Sequence, residues 1–337
     1  MNIFFLKEVL SIPSISGNES MVRDYIIEYA KKNSIEYYTD ARGNLYLTKG
    51  SDKMTSGEYY PCVVSHMDTV HGSHRELIET KTNLIIESIN DSENSDGLST
   101  LIAKHPITKE QTGIGGDDKC GVYVCLEMFE RFDVLKGAFF VEEEIGMLGS
   151  RVADDKFFEN VGYAIQFDAP SSNWISEICS GVKLFDEDFK EEIKGTLNEC
   201  GYTKFSVDPY TDVNQLAKKY DFNCLNLGCG YYRQHTNLEY VVVAEVFDAV
   251  KAGYELIKKL GIKKYTHKKI QEKTLISETN YSQDTYNDYE YDFDDYYIED
   301  EFDELAESIS NLVIDMYSNG VSEEEIKQEL SDYLRNL

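Results

Sequence analysis

Five short segments of this chain carry residue types that bind divalent metal ions: His66-Met67-Asp68, Asp117-Asp118-Lys119, Glu143-Glu144, Asp168 and His235. Each closes an apolar run or lies in a glycine-rich turn, where a side chain can reach a cleft. One bridging carboxylate, two further carboxylates and two imidazoles suffice for two zinc-like ions, and one Glu is left over as a base. The chemistry that such a set performs is hydrolysis.

Taken one at a time, the segments differ in weight. Cys62-Val63-Val64 runs into Ser65-His66-Met67-Asp68, and strand alternation puts His66 and Asp68 on one face. A carboxylate beside a ligating imidazole anchors its second ring nitrogen; the alternative is an ordinary His–Asp pair. Gly113-Ile114-Gly115-Gly116-Asp117-Asp118-Lys119-Cys120-Gly121 is more specific. Its glycines permit a tight turn that aims Asp117 into a cleft, where its two oxygens can bridge two cations. The alternative is that Asp117 or Asp118 caps a helix, and Lys119 does structural work either way. Glu142-Glu143-Glu144 follows an apolar strand, and three adjacent carboxylates repel one another unless cations compensate them. Neighbouring side chains diverge, so one Glu can bind metal while the next faces a reacting water; a solvated acidic loop is the alternative. Asp168 ends the apolar run Ala164 to Phe167, and His235 lies in the glycine-rich stretch after Gly230. Singly, both are weak: a lone Asp at a strand end is more often a cap, and a lone His more often a packed imidazole.

The elements that must hold these residues alternate between helical and strand patterns. Helices are predicted over 4–10, 20–33, 120–132, 186–200, 212–219 and 246–260, the second from the spacing of Val22, Ile26, Ile27 and Ala30. Strands are predicted over 44–48, 60–65, 137–142, 161–167, 224–227 and 239–243, with a looser β excursion over 77–90. Buried strands alternating with helices define an α/β class: a three-layer sandwich with a mostly parallel central sheet flanked by helices. The expected organisation is a catalytic domain over 1–267, an acidic Tyr-rich linker over 268–300 and a helical hairpin over 301–337. Ser322 and Glu325 give that hairpin a capping box.

The net charge is −29, and residues 272–337 supply −17 of it, with 20 Asp/Glu against 3 Lys/Arg. Phosphates would be repelled, so no nucleic-acid or anionic-membrane partner is expected. The acidic tail is expected to solubilise the chain; a protein partner or a substitute lid are the other readings. The seven cysteines are scattered without a CxxC pair and mostly fall in apolar runs, as in a reduced cytoplasmic protein. No apolar run is long enough to span a membrane, and the N-terminus lacks a secretory pattern.

In this order, HMD, GGDDK, EEEIG, FD and RQH resemble the motifs of the co-catalytic zinc metallopeptidase clan, and GGDDK-CG with EEEIG resembles its peptidase T-like members most. Ile12-Pro13-Ser14-Ile15-Ser16-Gly17-Asn18-Glu19 resembles the start of these enzymes, and Thr211-Asp212 their late TD loop. The resemblance covers roughly residues 5–260. It implies that His66, Asp117 and Asp168 hold one ion and that Asp117, Glu144 and His235 hold the other. It also implies Glu143 as general base and Asp68 as the residue that orients His66. Reading Glu142-Glu143-Glu144 one step earlier is the other register.

The resemblance further implies two divalent ions, zinc by ligand type with Co2+ or Mn2+ as alternatives. The matching substrate is a short peptide, cleaved by a water shared between the ions; an N-acyl amino acid, or a non-catalytic binding role, are the rival readings. Arg233 is a candidate for a substrate carboxylate, with a structural Asp pair as the alternative. Oxyanion stabilisation by Tyr231 or Tyr232 is set against simple packing, and His71 and His74, just past the first motif, are candidates to line the cleft but are expected at the surface. Only 66 residues separate Asp168 from His235 and 50 separate His66 from Asp117. The core is therefore expected to lack the lid domain of its lidded relatives.

Overall fold

The computed structural model describes residues 1–89, 99–208 and 210–268. Met1–Ile270 form one compact unit. The segments expected as linker (268–300) and helical hairpin (301–337) fall outside the described residues, apart from Lys268.

The chain opens with helices α1 (Ile3–Leu10) and α2 (Ser20–Lys32), then the hairpin β1 (Glu36–Thr39) and β2 (Leu45–Lys49), and the buried strand β3 (Tyr60–His66). An excursion follows: α3 (His74–Thr80), β4 (Ile85–Ile89), β5 (Thr100–Lys104) and β6 (Gln111–Thr112). Next come α4 (Gly116–Arg131), β7 (Leu135–Phe140), the short α5 (Leu148–Arg151) and α6 (Asp155–Phe158), and β8 (Val161–Ala169). The remainder is β9 (Trp174–Cys179), β10 (Val182–Lys183), α7 (Glu187–Glu199), β11 (Lys204–Asp208), α8 (Asp212–Lys219), β12 (Asn223–Gly228), β13 (Tyr231–Tyr232), β14 (Tyr240–Val242) and α9 (Val243–Leu260).

Nine strands form the central sheet in the order β1-β2-β7-β3-β8-β12-β9-β10, with β11 paired to β9. Its middle is parallel: β3 pairs with β7 and with β8, and β12 with β8. Every residue of β3, β7 and β12 is buried, as expected of strands covered on both faces. Adjacent residues of β8 show the two faces directly. The Gln166 side chain accepts from Val213 N on α8, whereas the Phe167 ring lies against Gly253 on α9. Helices α8 and α9 therefore cover opposite sides of the sheet, and α4 packs with α1 and α9. This is the three-layer sandwich that the sequence predicts.

The excursion differs from expectation at its start. His74–Thr80 is a helix, buried through His74, Leu77 and Ile78; two adjacent apolar residues in seven give no period by which to recognise it. The rest of the excursion forms a second, antiparallel sheet, β13-β14-β5-β4 with β6 on β5. Val241 pairs with Leu101 and Val242 with Thr100, so the hairpin that flanks His235 is fixed to the excursion. Between Asp168 and His235 the described residues form strands of the central sheet, the helices α7 and α8, and β13 of the second sheet, with no separate lid among them.

Candidate metal centre

Parallel strands deliver their carboxyl ends to one edge of a sheet, and crevices form there. His66 is the last residue of β3, Asp168 the second last of β8, and Glu143 and Glu144 follow β7. Asp117 stands at the start of α4 in an extended conformation (φ −76°, ψ 105°), and regular helix begins only after Asp118. Gly115 precedes it at φ +65°, a conformation that a side chain would strain. The Asp117–Asp118 peptide is cis. His235 reaches in from the β13–β14 loop. Glu142, Arg233 and His235 are non-glycine residues held at φ 56°, 53° and 61°, and left-handed backbone of this kind gathers in loops built for function.

All the expected ligand residues meet here. Asp117 Oδ1 lies 3.1 Å from His66 Nε2, and Asp117 Oδ2 lies 3.4 Å from His235 Nε2. Asp168 Oδ1 is 3.5 Å from His66 Nε2, and Glu144 Oε2 is 2.9 Å from His235 Nε2. Two donors each about 2.1 Å from a tetrahedral zinc stand about 3.4 Å apart, so these spacings suit two ions that share Asp117. Glu144 Oε1 is buried without a hydrogen-bond partner, a further sign of a site shaped for a cation. Glu143 Oε2 stands further off, 3.9 Å from His66 Nε2.

Donor atoms within 4.8 Å of one another form two groups: His66 with Asp117 and Glu144, and His66 with Asp118 and Asp168. We assign Asp118 to the fold, because its oxygens already accept Gly121 N at 3.1 Å and His66 N at 3.2 Å. Lys119 is likewise structural. Fully buried, it donates to Leu10 O and Ile12 O at the end of α1, and burial lowers its pKa to about 7.

Electrostatics follow from crowding. Burial raises the Glu144 and Asp168 carboxyls to about 7, each aided by the nearby Asp117 charge. Burial also lifts Glu143 well above the carboxylate range; His66 opposes this, while Asp168, Asp212 and Glu144 add to it. Burial works against ionisation of Asp117 too, but hydrogen bonds from His235 and His66 overcome it and hold its pKa low. Burial disfavours the His235 cation, yet Asp117 and Glu144 raise its pKa to about 12. Carboxylates packed this tightly are what two dications compensate.

The supporting contacts refine the expected roles. Asp68 is fully buried. Its carboxylate accepts Ser16 Oγ at 2.7 Å, Glu143 N at 3.0 Å and Glu144 N at 3.2 Å, and lies 3.4 Å from His66 Nδ1. It therefore positions the acidic loop as well as the imidazole. Glu142 turns away to Arg42, whose Nε donates to Glu142 Oε2 at 2.6 Å, which leaves Glu143 and Glu144 as the pair facing the cleft. Tyr231 OH donates to Asp168 Oδ1 at 3.3 Å, whereas Tyr232 OH donates to Glu245, outside the centre. Arg233 is exposed, and among the described residues it forms no ion pair with an Asp.

Two expectations are corrected. His71 and His74 are buried rather than at the surface. His71 Nε2 lies 2.7 Å from Glu239 Oε2, and His74 Nε2 lies 3.0 Å from Gly113 O. Two acidic residues of the centre had been given no role from the sequence. Asp212, at the start of α8, is fully buried with neither oxygen in a hydrogen bond. Burial raises it to about 7, although Ser150 and Gln166 lie close enough to ease its charge. Its place in the Thr211-Asp212 motif was the available signal. Glu239 is the other, and nothing local marks it.

No protein-family profile and no curated protein matches the chain. Solved structures do. Aminopeptidase PepT from Bacillus cereus superposes with TM-score 0.58 at 14% identity, covering 77% of this chain and 97% of that one. A tripeptidase from Staphylococcus aureus gives 0.56 at 14%, covering 76% and 96%. A TET aminopeptidase from a marine-sediment thaumarchaeon gives 0.59 at 12%, covering 77% and 96%. The chain shares its fold with these aminopeptidases and this tripeptidase.

Proposed function

We propose that this protein is a di-metal exopeptidase acting on short peptides. The observation that carries the proposal is Asp117, whose two oxygens face two different imidazoles at 3.1 and 3.4 Å. His66, Asp117 and Asp168 would hold one ion, and Asp117, Glu144 and His235 the other. Zinc suits this donor set, with Co2+ and Mn2+ close in preference. When bound, such ions lower the pKa of water and polarise a carbonyl.

Glu143, without a ligand's spacing to the imidazoles, serves as the base. As base it would take a proton from the attacking water and return it to the leaving amine as the C–N bond breaks. Asp68 keeps Glu143 and Glu144 on station through their backbone amides. Exposed Arg233, two residues before His235, would take a substrate carboxylate.

Charge favours peptides over N-acyl amino acids. Asp68, Asp117, Glu143, Glu144, Asp168 and Asp212 crowd the centre, and this carboxylate surplus over two dications favours a substrate with a free α-ammonium group over one with an acylated nitrogen. The sulfur chemistry fits a reducing, cytoplasmic setting: all seven cysteines are free thiols, and all but Cys200 are buried. No helix among the described residues is long and apolar enough to cross a membrane.

The test is Glu143→Gln, assayed for metal content and for turnover of di- and tripeptides beside their N-acetylated forms. Loss of a general base costs about 10²–10⁴-fold in rate. That loss with two ions retained, and a preference for free amines, are the expected results. Unchanged peptide turnover in this variant overturns the reading.

A further inference from the structure

Glu239 lies on the His235 loop, four residues beyond that ligand, and is completely buried. Its carboxylate straddles the turn that carries the bridging aspartate. Oε2 accepts Gly115 N at 2.7 Å, and Oε1 accepts Asp117 N at 3.1 Å. His71 Nε2 backs it at 2.7 Å from Oε2. The packing leaves no slack. A Cβ on Gly113 would fall 2.0 Å from the His71 ring, and one on Gly116 would meet Tyr231 Cβ at 2.7 Å and Glu239 Oε1 at 3.3 Å.

We propose that Glu239, backed by His71, is a positioning residue that fixes the two faces of Asp117 toward the two ions. This inference rests on the di-metal reading. A carboxylate can bridge only if its plane is held, and rotation about the Asp117 backbone would turn Oδ2 away from His235. Glu239 hydrogen-bonds the amide of Asp117 itself and the amide two residues before it, so it removes that freedom. Because Glu239 and His235 share one loop, the same clamp sets the distance between His235 and the bridge. Its loss therefore falls hardest on the ion shared by Asp117, Glu144 and His235, because both the bridge and the His235 loop are loosened there. The ion held by His66, Asp117 and Asp168 loses only the set of the bridge and keeps His66 on β3 and Asp168 on β8.

Glu239→Gln preserves size, but its amide end cannot accept an N–H. Zinc titration calorimetry of metal-free protein, with absorption spectra of the cobalt-loaded form, reads both ions separately. The expected result is one ion bound within threefold of wild type and the other weakened about 10- to 100-fold, the usual cost of losing an outer partner of a ligand. Far-UV circular dichroism should be unchanged. A purely structural role would lower the melting temperature and leave the ratio of the two affinities alone. His71→Asn leaves Glu239 in place and should shift the same affinity in the same direction, by less; it decides the matter if the Gln variant fails to fold. Two wild-type affinities in both variants overturn this inference alone. A wild-type protein that takes up no zinc overturns the di-metal reading and this inference with it.

Discussion

Replacing Asp68 by Asn tests how one buried carboxylate holds the centre together. Oδ1 accepts Glu143 N and lies beside His66 Nδ1, while Oδ2 accepts Ser16 Oγ and Glu144 N. An Asn side chain must present its NH2 group to one of these sides. The Oδ2 side costs less, because the Ser16 hydroxyl can rotate and accept instead. Glu144 N is then left without an acceptor, a cost of about 1–3 kcal/mol. The bond to Glu143 N loses its charge assistance, about 1 kcal/mol more. The sum is roughly 2–4 kcal/mol of stability, measurable by urea unfolding of metal-free protein. His66 Nδ1 also faces Asp68 O at 3.1 Å, and Asn keeps that carbonyl. The imidazole should therefore stay oriented while the Glu144 loop loosens. Zinc calorimetry should show the ion shared by Asp117, Glu144 and His235 weakened about 10- to 100-fold, with the other ion little changed. A variant within 0.5 kcal/mol of wild type, or equal weakening of both ions, would refute this apportioning; the threshold is about the scatter of ordinary surface substitutions.

Two further outcomes follow from groups outside the ligand set. Burial depresses His74 from 6.5 to about 3, so between those values the unfolded chain binds more protons than the folded one. Stability attributable to His74 is then complete above pH 6.5 and lost as pH falls toward 3, by up to about 5 kcal/mol. His74→Gln should flatten that part of the curve in acid unfolding measurements, and an unchanged slope would refute the assignment. Gly113→Ala forces the His71 ring aside and should cost about 1–3 kcal/mol by overpacking. Combined with Glu239→Gln it should be non-additive by at least about 0.5 kcal/mol, because both changes break the same His71–Glu239 contact; additive costs would separate the two.

What the sequence reveals of this site depends on how local each signal is. His66, Glu143, Glu144 and Asp168 are legible because each closes a buried strand, and a run of apolar residues with a carboxylate or imidazole at its end is a pattern within ten residues. Asp117 is legible because its turn needs glycines. Glu239 leaves no such trace: its partners lie 122, 124 and 168 residues away, and in sequence it reads as the polar start of β14. The same holds for His71 and His74, which look like surface residues in a polar stretch until their partners on distant segments are in place. β9 was not anticipated either, since Trp174–Cys179 is broken by polar residues and packs as a strand only between β12 and β11. The ligands of such a centre can thus be read from single elements. The groups that hold their geometry come from pairings between elements, and the Glu239 clamp, which ties the His235 loop to the Asp117 turn, exists only once the second sheet has brought β14 against β5.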